Sequence, residues 1–310
     1  MKILLTGSTG MLGSSILRQL EERDFQIYAP KRSELDLLDH ESTNSYLDRI
    51  EPNFVIHCAA VVGGIKTNIK HPTKFIKDNV LIDGHLFDAC IQKRIENFLY
   101  ISSSCIYPAW NPQPLKINDL FSGQLEPTNK SYAMAKLAGM QLVEAISAEY
   151  HFHYRSLVLS NLYGPGDNYD LESSHLLAAS IRKTHEAHIG DKQNIEIMGS
   201  GRVRREFTYV DDVAVWISKN IENIGSFPTH MNLGYGEDLT VAEYYKLVAK
   251  IVGFNGGFTY NLSAPEGMQQ KLLDSSIART EFGWNPTTSH EIGIKNSYES
   301  WLKGQPSGEI

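Results

Sequence analysis

A thiol and three hydroxyls follow one apolar segment of this chain. Residues 98–101 read FLYI, and Ser102, Ser103, Ser104 and Cys105 come next. A thiol with an ordinary pKa of about 8.5 can exchange protons close to neutral pH. What chemistry Cys105 serves depends on the groups that other segments bring to the same strand end.

Tyr132 and Lys136 lie four residues apart in SYAMAKLAGMQLVEA, a segment of good helix formers, so they share one helix face. A free phenol has a pKa of about 10, which is a poor match to neutral pH. A lysine cation one turn away favours the phenolate and should lower that pKa. The pair predicts proton transfer, but only in combination with other motifs, because the spacing is common in helices.

Three glycines separate a short apolar strand from an amphipathic helix. In TGSTGMLG, Gly7 permits a tight turn, Gly10 lets the backbone approach a pyrophosphate, and Gly13 lets helix and strand pack closely. The helix N-terminus adds free N–H groups and a partial positive charge. This context predicts a dinucleotide site rather than a plain strand–helix turn.

The residues after the second strand indicate which dinucleotide binds. Sites for NAD usually carry an acid there, whereas this strand runs into Lys31 and Arg32 and meets no acid until Glu34. Two cations favour the 2′-phosphate of NADP, with Arg32 as the contact. The alternative is that both are solvated loop cations.

Short apolar runs alternate with helical patterns through the first half of the chain. The predicted strands are 2–6, 25–28, 54–58, 98–101 and 154–159. This alternation predicts an α/β fold with a doubly wound (Rossmann) parallel sheet. The looser pattern beyond Asn161 predicts a smaller, interleaved C-terminal α/β substrate domain. The expected division is 1–160 plus about 206–236 for the NADP-binding domain, and about 161–205 and 237–310 for the substrate domain.

Composition narrows the possible partners. The net charge of −7 disfavours nucleic acid and anionic membranes, so an anionic ligand needs a local cluster of cations. No apolar run reaches about 18 residues, and the N-terminal apolar run is too short for a signal peptide. Three cysteines without metal spacing predict free thiols, no metal site and a cytoplasmic protein.

Together these motifs resemble the extended short-chain dehydrogenase/reductase family, which includes sugar-nucleotide epimerases and dehydratases. The stretches that carry the resemblance are TGSTGMLG, DLLD (36–39), SSSCIYP, YAMAK, NLYGP (161–165) and REFTYVDD (205–212). The resemblance implies that Ser103 and Tyr132 polarise a substrate carbonyl, that Tyr132 protonates the alkoxide, and that Lys136 holds the nicotinamide ribose. The cofactor positions that it implies are Gly7, Gly10, Met11, Gly13, Arg32, Asp36, Leu37, Lys136, Asn161 and His175.

Within that family the chain is most similar to NADPH-dependent 3,5-epimerase/4-reductases that convert GDP-4-keto-6-deoxy sugars of the mannose type to GDP-L-sugars. The most specific stretches are AAVVGGIKTN (59–68), SSCIYP, NLYGPGDN with the following Ser174-His175, and KLLD (271–274). The resemblance implies that Cys105 and His175 exchange the protons on C3 and C5, and it leaves open which is base and which is acid. Taken alone, Cys105 would read as a small buried hydrophobe and His175 as an ordinary capping or surface residue.

The resemblance also implies a substrate site, with some departures. Its positions are Lys183, Met198, Arg205 and Lys271. Lys183 stands where the family usually has arginine, Met198 replaces a tryptophan, and Thr9 replaces an arginine near the 2′-phosphate. These changes leave the sugar open: a 3,6-dideoxy sugar of the colitose pathway, a deoxyheptose, or C4 reduction without epimerisation are alternatives. A non-catalytic dinucleotide sensor is disfavoured, since such proteins typically lose the Tyr/Lys pair.

The remaining expectations concern assembly and bracing residues. Family members usually dimerise through two helices, here those containing 79–91 and Tyr132, so a homodimer is expected. Asp211 and Asp212 are expected to brace structure, and Arg202 and Arg204 to add local positive charge or form a solvated hairpin. Six histidines receive no role: His57, His85, His151, His153, His185 and His188.

Overall fold

The computed structural model describes residues 1–304, and its elements alternate between strands and helices. The strands are β1 Lys2–Thr6, β2 Gln26–Tyr28, β3 Phe54–His57, β4 Asn97–Ser103, β5 His153–Leu159, β6 Asn161–Tyr163, β7 Asn194–Met198, β8 Arg204–Tyr209, β9 His230–Leu233, β10 Asp238–Thr240, β11 Gly257–Asn261 and β12 Gln270–Lys271. The helices are α1 Met11–Glu21, α2 His40–Ile50, α3 Ile65–Lys70, α4 Pro72–Gln92, α5 Lys130–Tyr150, α6 Leu176–Ile189, α7 Val210–Asn220, α8 Val241–Val252, α9 Ser276–Phe282 and α10 His290–Lys303.

Six strands form one parallel sheet in the order β2-β1-β3-β4-β5-β9. The chain moves from β1 outward to β2 and then returns to place β3 on the other side of β1. This reversal creates a crevice outside the carboxyl ends of β1 and β3, which is where ligands bind in open α/β sheets. The predicted doubly wound fold is confirmed.

Alternate residues of each strand pack into two separate apolar layers, one on each face of the sheet. On β1, Leu4 packs with α2, α4 and α5, whereas Ile3 and Leu5 face α1 and α7. Successive strand side chains point to opposite faces, so a sheet covered on both sides needs a continuous apolar run. That requirement explains why the five predicted strands lie within about two residues of the observed ones, β2 beginning at Gln26 rather than Phe25.

A second set of short strands covers the carboxyl edge of the large sheet. Strand β8 pairs with β6, β10 and β12, and β7 pairs with β11. Helix α8 packs between α6 and α10, with Thr240 as its N-cap and Gly253, at φ +87°, as its C-cap. The division into two domains at the stated boundaries stays a prediction.

One connection between the large sheet and the small set of strands is very short. A single residue, Ser160, separates β5 of the large sheet from β6 of the small one. Its hydroxyl lies 2.6 Å from Oγ1 of Thr208 on β8, and Asn161 donates from Nδ2 to the Glu206 carbonyl at 2.9 Å. Within residues 1–304, no helix is both long and apolar enough to cross a membrane.

Candidate active site

A cleft of about 1170 Å³ lies at the carboxyl ends of the large sheet, beneath the small strands. All residues predicted from the sequence to be catalytic, cofactor-binding or substrate-binding line it. They are Gly7, Gly10, Met11, Gly13, Arg32, Asp36, Leu37, Ser103, Cys105, Tyr132, Lys136, Asn161, His175, Lys183, Met198, Arg205 and Lys271. Residues far apart in the chain meet here because parallel strands end at the same edge.

The glycine loop forms the deep end of the cleft. Gly7 has φ +69°, and a Cβ there would lie 2.6 Å from the backbone nitrogen of Ala59. A Cβ on Gly13 would collide with the Gly7 carbonyl. A Cβ on Gly10 would meet only the Gly7 oxygen, at 3.4 Å, and no side chain caps α1 at this position. Gly10 therefore leaves space and free helix N–H groups on the cleft side, which fits a pyrophosphate.

Arg32 and Asp36 lie at the mouth of the cleft near this loop. The Arg32 side chain is 73% exposed, and its Nε is 3.6 Å from Oδ1 of Asp36. Asp36 also accepts from the Leu38 N–H at 3.1 Å, which fixes its turn. Leu37 is buried, and its carbonyl accepts a hydrogen bond from Nδ1 of His85 at 3.0 Å. The guanidinium is paired with Asp36 only through this long, exposed contact, and most of its surface faces solvent.

Ser103 and Cys105 occupy a single turn of 3₁₀ helix that begins where β4 ends. Ser103 is the N-cap of that turn, and its Oγ accepts from the Cys105 N–H at 3.5 Å. Burial raises the pKa of the Cys105 thiol, an effect that Lys271, Ser103 and Lys136 oppose. The serine run therefore ends β4 and begins the 3₁₀ turn, and this turn places the Cys105 thiol in the cleft wall.

Tyr132 and Lys136 lie in the first turns of α5. Burial raises the pKa of Tyr132 well above its usual value, with smaller contributions from Cys105 and Asp83. The expectation that Lys136 lowers this pKa is wrong for this structure. The lysine Nζ lies 4.5 Å from the ring centroid of Tyr100, on the lining of the cleft, and its charge does not offset the effect of burial on Tyr132. Tyr132 is therefore a phenol held protonated, which fits a proton donor.

His175 immediately precedes α6, on a different wall of the cleft from the Cys105 turn. Its side chain is exposed to the cleft. Desolvation by the surrounding protein lowers the pKa of the imidazole, and the Lys271 cation lowers it further. The backbone before it is fixed because the Gly64 N–H donates to the Ser173 carbonyl at 3.0 Å. Burial favours the neutral forms of both the thiol and the imidazole, so the thiol carries a proton that it can donate and the imidazole has a nitrogen that can accept one.

Two cations line the cleft near this pair, and Lys271 acts on both Cys105 and His175. Burial, together with Arg205, lowers the pKa of Lys271 to about 8, while Cys105 and Glu126 oppose the shift. Arg205 donates to the carbonyls of Met268 and Glu266 at 2.6 and 2.8 Å, and burial lowers its pKa to about 10. Two buried cations facing a cleft favour an anionic ligand there.

The outer wall of the cleft carries Lys183 and Met198. Lys183 Nζ lies 3.5 Å from the Glu196 carbonyl, and burial lowers its pKa. Met198, at the end of β7, is 39% exposed and forms an apolar part of this wall. Arg204 does not join the cleft cations, because its Nε donates to Oδ1 of Asp238 at 2.7 Å. Arg202 also lies outside the cleft lining.

The adjacent acids of α7 brace the two parts of the chain, as expected. Asp211 accepts from Arg18 Nη2 at 2.8 Å and from the Ser15 hydroxyl, which ties α7 to α1. Asp212 accepts from the Thr288 N–H at 3.1 Å and from its hydroxyl at 3.0 Å. Neither acid lines the cleft. In residues 1–304, no group of three or more His, Cys, Asp or Glu is arranged to hold a metal ion.

Sequence reasoning missed several polar atoms of the cleft. Four side-chain oxygens in lining residues are buried and have no hydrogen-bond partner in the described part of the chain: Asn68 Oδ1, Ser102 Oγ, Asn129 Oδ1 and Ser174 Oγ. Buried polar atoms are normally satisfied, so these are ready to bind a polar ligand. Ser102, Asn68 and Ser174 belong to stretches that the resemblance marked as specific, but no role was assigned to them, and Asn129 received no attention.

A buried polar network beneath α5 was also missed. His57, which received no role, lies 3.0 Å through Nε2 from Oδ1 of Asp83 and 2.7 Å through Nδ1 from the Thr6 hydroxyl. The Tyr100 hydroxyl donates to the other oxygen of Asp83. One signal could have revealed it: Asp83 stands on the apolar face of α4, between Ile82 and Leu86, where a lone acid would be costly to bury.

Comparison with known proteins places the chain in a family. Residues 3–234 match the NAD dependent epimerase/dehydratase family. The chain is 40% identical to a GDP-L-colitose synthase of Yersinia pseudotuberculosis, covering 97% of this chain and 98% of that protein. It is also 40% identical to a GDP-L-fucose synthase of Azorhizobium caulinodans, covering 98% and 97%. A GDP-mannoheptose C4 reductase of Campylobacter jejuni, solved with NADP bound, superposes with a TM-score of 0.87 at 30% identity, covering 97% and 98%.

This protein belongs to the NAD dependent epimerase/dehydratase family. Within the family, its similarity to GDP-L-fucose synthases extends over nearly the whole chain. The resemblance predicted from the motifs is thereby confirmed.

Proposed function

We propose that this protein is an NADPH-dependent epimerase/reductase that converts a GDP-4-keto-6-deoxy sugar of the mannose type to a GDP-L-sugar. The observation that carries the proposal is the convergence of Ser103, Cys105, Tyr132, Lys136 and His175 on one cleft. Its relatives include proteins named for GDP-L-fucose and GDP-L-colitose synthesis. Both names describe GDP-L-sugar products.

Epimerisation follows from the acidity of carbon atoms next to a ketone. One member of the Cys105/His175 pair removes the proton from C3 or C5, and the other delivers a proton to the opposite face. One member of the pair accepts a proton from the sugar carbon and the other returns one to it. Each inversion therefore leaves the number of protons on the sugar unchanged. The hydroxyls of Ser103 and Tyr132 donate hydrogen bonds to the enediolate oxygen and stabilise it.

Reduction uses the same hydroxyl pair. When bound, NADPH supplies the hydride that reduces the C4 ketone. Tyr132, which burial keeps protonated, donates its proton to the oxygen at C4. Ser103 holds that oxygen in place, and the Lys136 ammonium provides positive charge beside the phenolate that forms. The phenol then regains a proton before the next turnover.

The glycine loop and Arg32 fit NADP. The open side of Gly10 and the uncapped start of α1 would receive the pyrophosphate. Arg32, exposed at the cleft mouth and paired with Asp36, would bind the 2′-phosphate, and Asp36 and Leu37 would line the adenosine end. Asn161 and Lys136 line the inner part of the same cleft, where the ribose and nicotinamide would lie.

The GDP diphosphate would bind the cations of the substrate site. Arg205 and Lys271 are buried in the cleft, and Lys183 lies on its outer wall. Lys183 supplies a point charge where arginine would supply a planar fork, and Met198 is more pliable than tryptophan. These two substitutions keep a 3,6-dideoxy sugar or a deoxyheptose as alternative substrates. For a 3-deoxy sugar, inversion would be confined to C5.

A substrate panel tests the proposal. The purified protein is incubated with NADPH and each of several GDP-4-keto sugars in D₂O, and product stereochemistry is read by NMR. We expect oxidation of NADPH, deuterium at C3 and C5, and an L-configured product from the 6-deoxyhexose. Failure to oxidise NADPH with every sugar of the panel would reject the proposal.

A pure C4 reductase is the second candidate, since the C. jejuni relative is named as one. Incubation in D₂O without NADPH separates the two activities, because proton exchange needs only the Cys105/His175 pair. Deuterium uptake under these conditions supports an epimerase. Reduction without any uptake would establish the C4 reductase.

We further propose that the protein is a homodimer that uses α4 and α5. These helices pack against each other and expose apolar residues at helical spacing: Ile76, Val80 and Leu81 on α4, and Met134, Ala138 and Leu142 on α5. Val80→Glu should yield a monomer in light scattering. Ile292→Glu, at an exposed position of α10, is the control and should stay dimeric. A monomeric wild-type protein would contradict the proposal.

A cytoplasmic location is part of the same proposal. Cys58, Cys90 and Cys105 are all free thiols, which supports a reducing compartment. Fractionation of cells that express the native gene would test it, and recovery outside the cytoplasm would contradict it.

A further inference from the structure

Lys136 is a buried cation held by an aromatic ring. Its side chain is 2% exposed, and its Nζ lies 4.5 Å from the ring centroid of Tyr100. No carboxylate within residues 1–304 forms an ion pair with it at 4.0 Å or less. Buried lysines normally need a charged partner. Lys136 lowers the pKa of Asp83 from beyond ion-pair distance, and the ring face of Tyr100 supplies the direct contact.

The ring that holds Lys136 is itself fixed by a carboxylate. The Tyr100 hydroxyl donates to Oδ2 of Asp83, and His57 Nε2 lies 3.0 Å from the other oxygen. Burial raises the pKa of Tyr100 far above its usual value, and Asp83 adds to this shift. Hydrogen bonding to a carboxylate moves electron density onto the phenol ring, which strengthens its attraction for a cation.

The network continues to the glycine loop. His57 Nδ1 lies 2.7 Å from the Thr6 hydroxyl, whose oxygen accepts the Ala59 N–H at 3.3 Å. Gly139, one turn after Lys136 on α5, makes room for Tyr100, because a Cβ there would collide with the tyrosine hydroxyl. The polar chain thus joins β1, β3, α4, β4 and α5 beneath the cleft.

We propose that Tyr100 and Asp83 are positioning residues for Lys136. The ring supports the ammonium through its face without a carboxylate bonded to Nζ, so the N–H groups that point away from the ring remain available for a ligand hydroxyl and for Tyr132. A carboxylate bonded directly to Nζ would hold the charge but occupy those donors and pull the lysine away from the cleft. This inference rests on the proposed function, because Lys136 acts there beside Tyr132 and the cofactor ribose.

Three variants test the role of this support. Tyr100→Phe keeps the ring and loses the bond to Asp83, Tyr100→Leu removes the ring, and Asp83→Asn removes the charge. We expect kcat to fall about fivefold in Tyr100→Phe and Asp83→Asn and at least about thirtyfold in Tyr100→Leu. KM for the GDP-sugar should change less than about twofold, because no network residue reaches the diphosphate cations.

Matched controls separate positioning from folding. Tyr154→Phe alters another fully buried tyrosine of the same aromatic cluster, whose hydroxyl donates to the Ile95 carbonyl, and Asp78→Asn alters another buried acid of α4. Both should keep wild-type kcat. Circular dichroism and the melting temperature show whether each variant is folded. If Tyr100→Leu does not fold, the decision passes to Asp83→Asn and Tyr100→Phe.

A second readout does not depend on turnover. NADPH affinity, measured by fluorescence titration, should weaken at least about threefold in Asp83→Asn and Tyr100→Phe, since the displaced lysine no longer meets the ribose. The double variant Asp83→Asn/Tyr100→Phe should be no worse than the worse single variant, because both act through one support. Folded variants with wild-type kcat and NADPH affinity would overturn the inference. A wild-type protein that turns over no GDP-keto sugar would instead reject the proposed function.

Discussion

The Oγ of Ser103 accepts the backbone N–H of Cys105, so one serine shapes the turn that carries the thiol. The residue proposed to hold the carbonyl oxygen therefore also sets the position of the residue proposed to move protons beside that carbonyl. Carbonyl polarisation and proton exchange are geometrically coupled at the end of β4. Residues on two separate elements could move relative to each other, whereas these two lie within one turn.

Cys105→Ser should abolish deuterium uptake at the exchangeable carbons and leave a reductase that yields the non-inverted alcohol. A hydroxyl fits the same space, but its pKa is far too high for proton exchange near neutral pH. Uptake is measured by NMR in D₂O. Cys90→Ser, a buried thiol away from the cleft, is the control. Normal uptake by Cys105→Ser would remove the thiol from the mechanism.

Tyr132→Phe should lower kcat for reduction by about 10²-fold or more, because the proton donor to the C4 oxygen is lost. NADPH oxidation is followed at 340 nm. Tyr150→Phe, at the far end of the same helix and exposed, should behave as wild type. Retention of most activity in Tyr132→Phe would assign proton donation to another group.

Binding of GDP should weaken above pH 8 because Lys271 then loses its charge. Its pKa is lowered to about 8, so the ammonium is present below that pH and neutral above it. Affinity measured by calorimetry should fall about tenfold between pH 7 and pH 9 if this charge is needed. Lys271→Arg should be nearly independent of pH over this range. An equal fall in that variant would place the titrating group elsewhere.

Gly10→Ala should weaken NADPH binding by at least about tenfold while changing the free energy of unfolding by less than about 0.5 kcal/mol. Its added methyl group meets only one protein atom, at 3.4 Å, so the group it would displace is the ligand. Gly13→Ala is the contrast, because its methyl group collides with the Gly7 carbonyl and should destabilise the fold. Unchanged NADPH affinity in a folded Gly10→Ala protein would contradict the phosphate assignment.

Arg32→Glu should shift cofactor preference toward NADH. The 2′-phosphate would lose a cation and meet an anion, so kcat/KM with NADPH should fall at least about tenfold relative to NADH. Steady-state kinetics with both cofactors measure the ratio. Lys31→Glu, an exposed neighbour outside the cleft lining, should leave it nearly unchanged. A larger effect at Lys31 would reverse the assignment of these two cations.

Local patterns were sufficient to predict five of the six strands of the large sheet and the glycine loop, whereas β9 was missed and most of the cleft lining was reached only through the family resemblance. Gly7, Gly13 and the apolar strands are constrained by short-range geometry, and parallel strand ends must meet at one edge. Cys105 and His175 were reached only through the motifs around them, since each residue alone has an ordinary structural reading.

The network under Lys136 could not be predicted in the same way. Tyr100 and His57 lie 17 and 26 residues from Asp83 in sequence, and their contacts depend on how α4 and α5 pack. The expectation for the pKa of Tyr132 failed for this reason. Spacing on α5 places Lys136 on the same helix face as Tyr132, but the side chain extends instead over the ring of Tyr100.

The single residue between β5 and β6 limits how this molecule can move. Rotation of the small strands at this connection would break the bond between Ser160 and Thr208, which favours a rigid floor of the cleft. Segments 60–70 and 166–175 also contribute to the cleft lining, and they touch where the Gly64 N–H donates to the Ser173 carbonyl. We therefore expect substrate exchange to depend on loop rearrangement above a rigid base, so that turnover responds to changes in those loops and not to interdomain flexing.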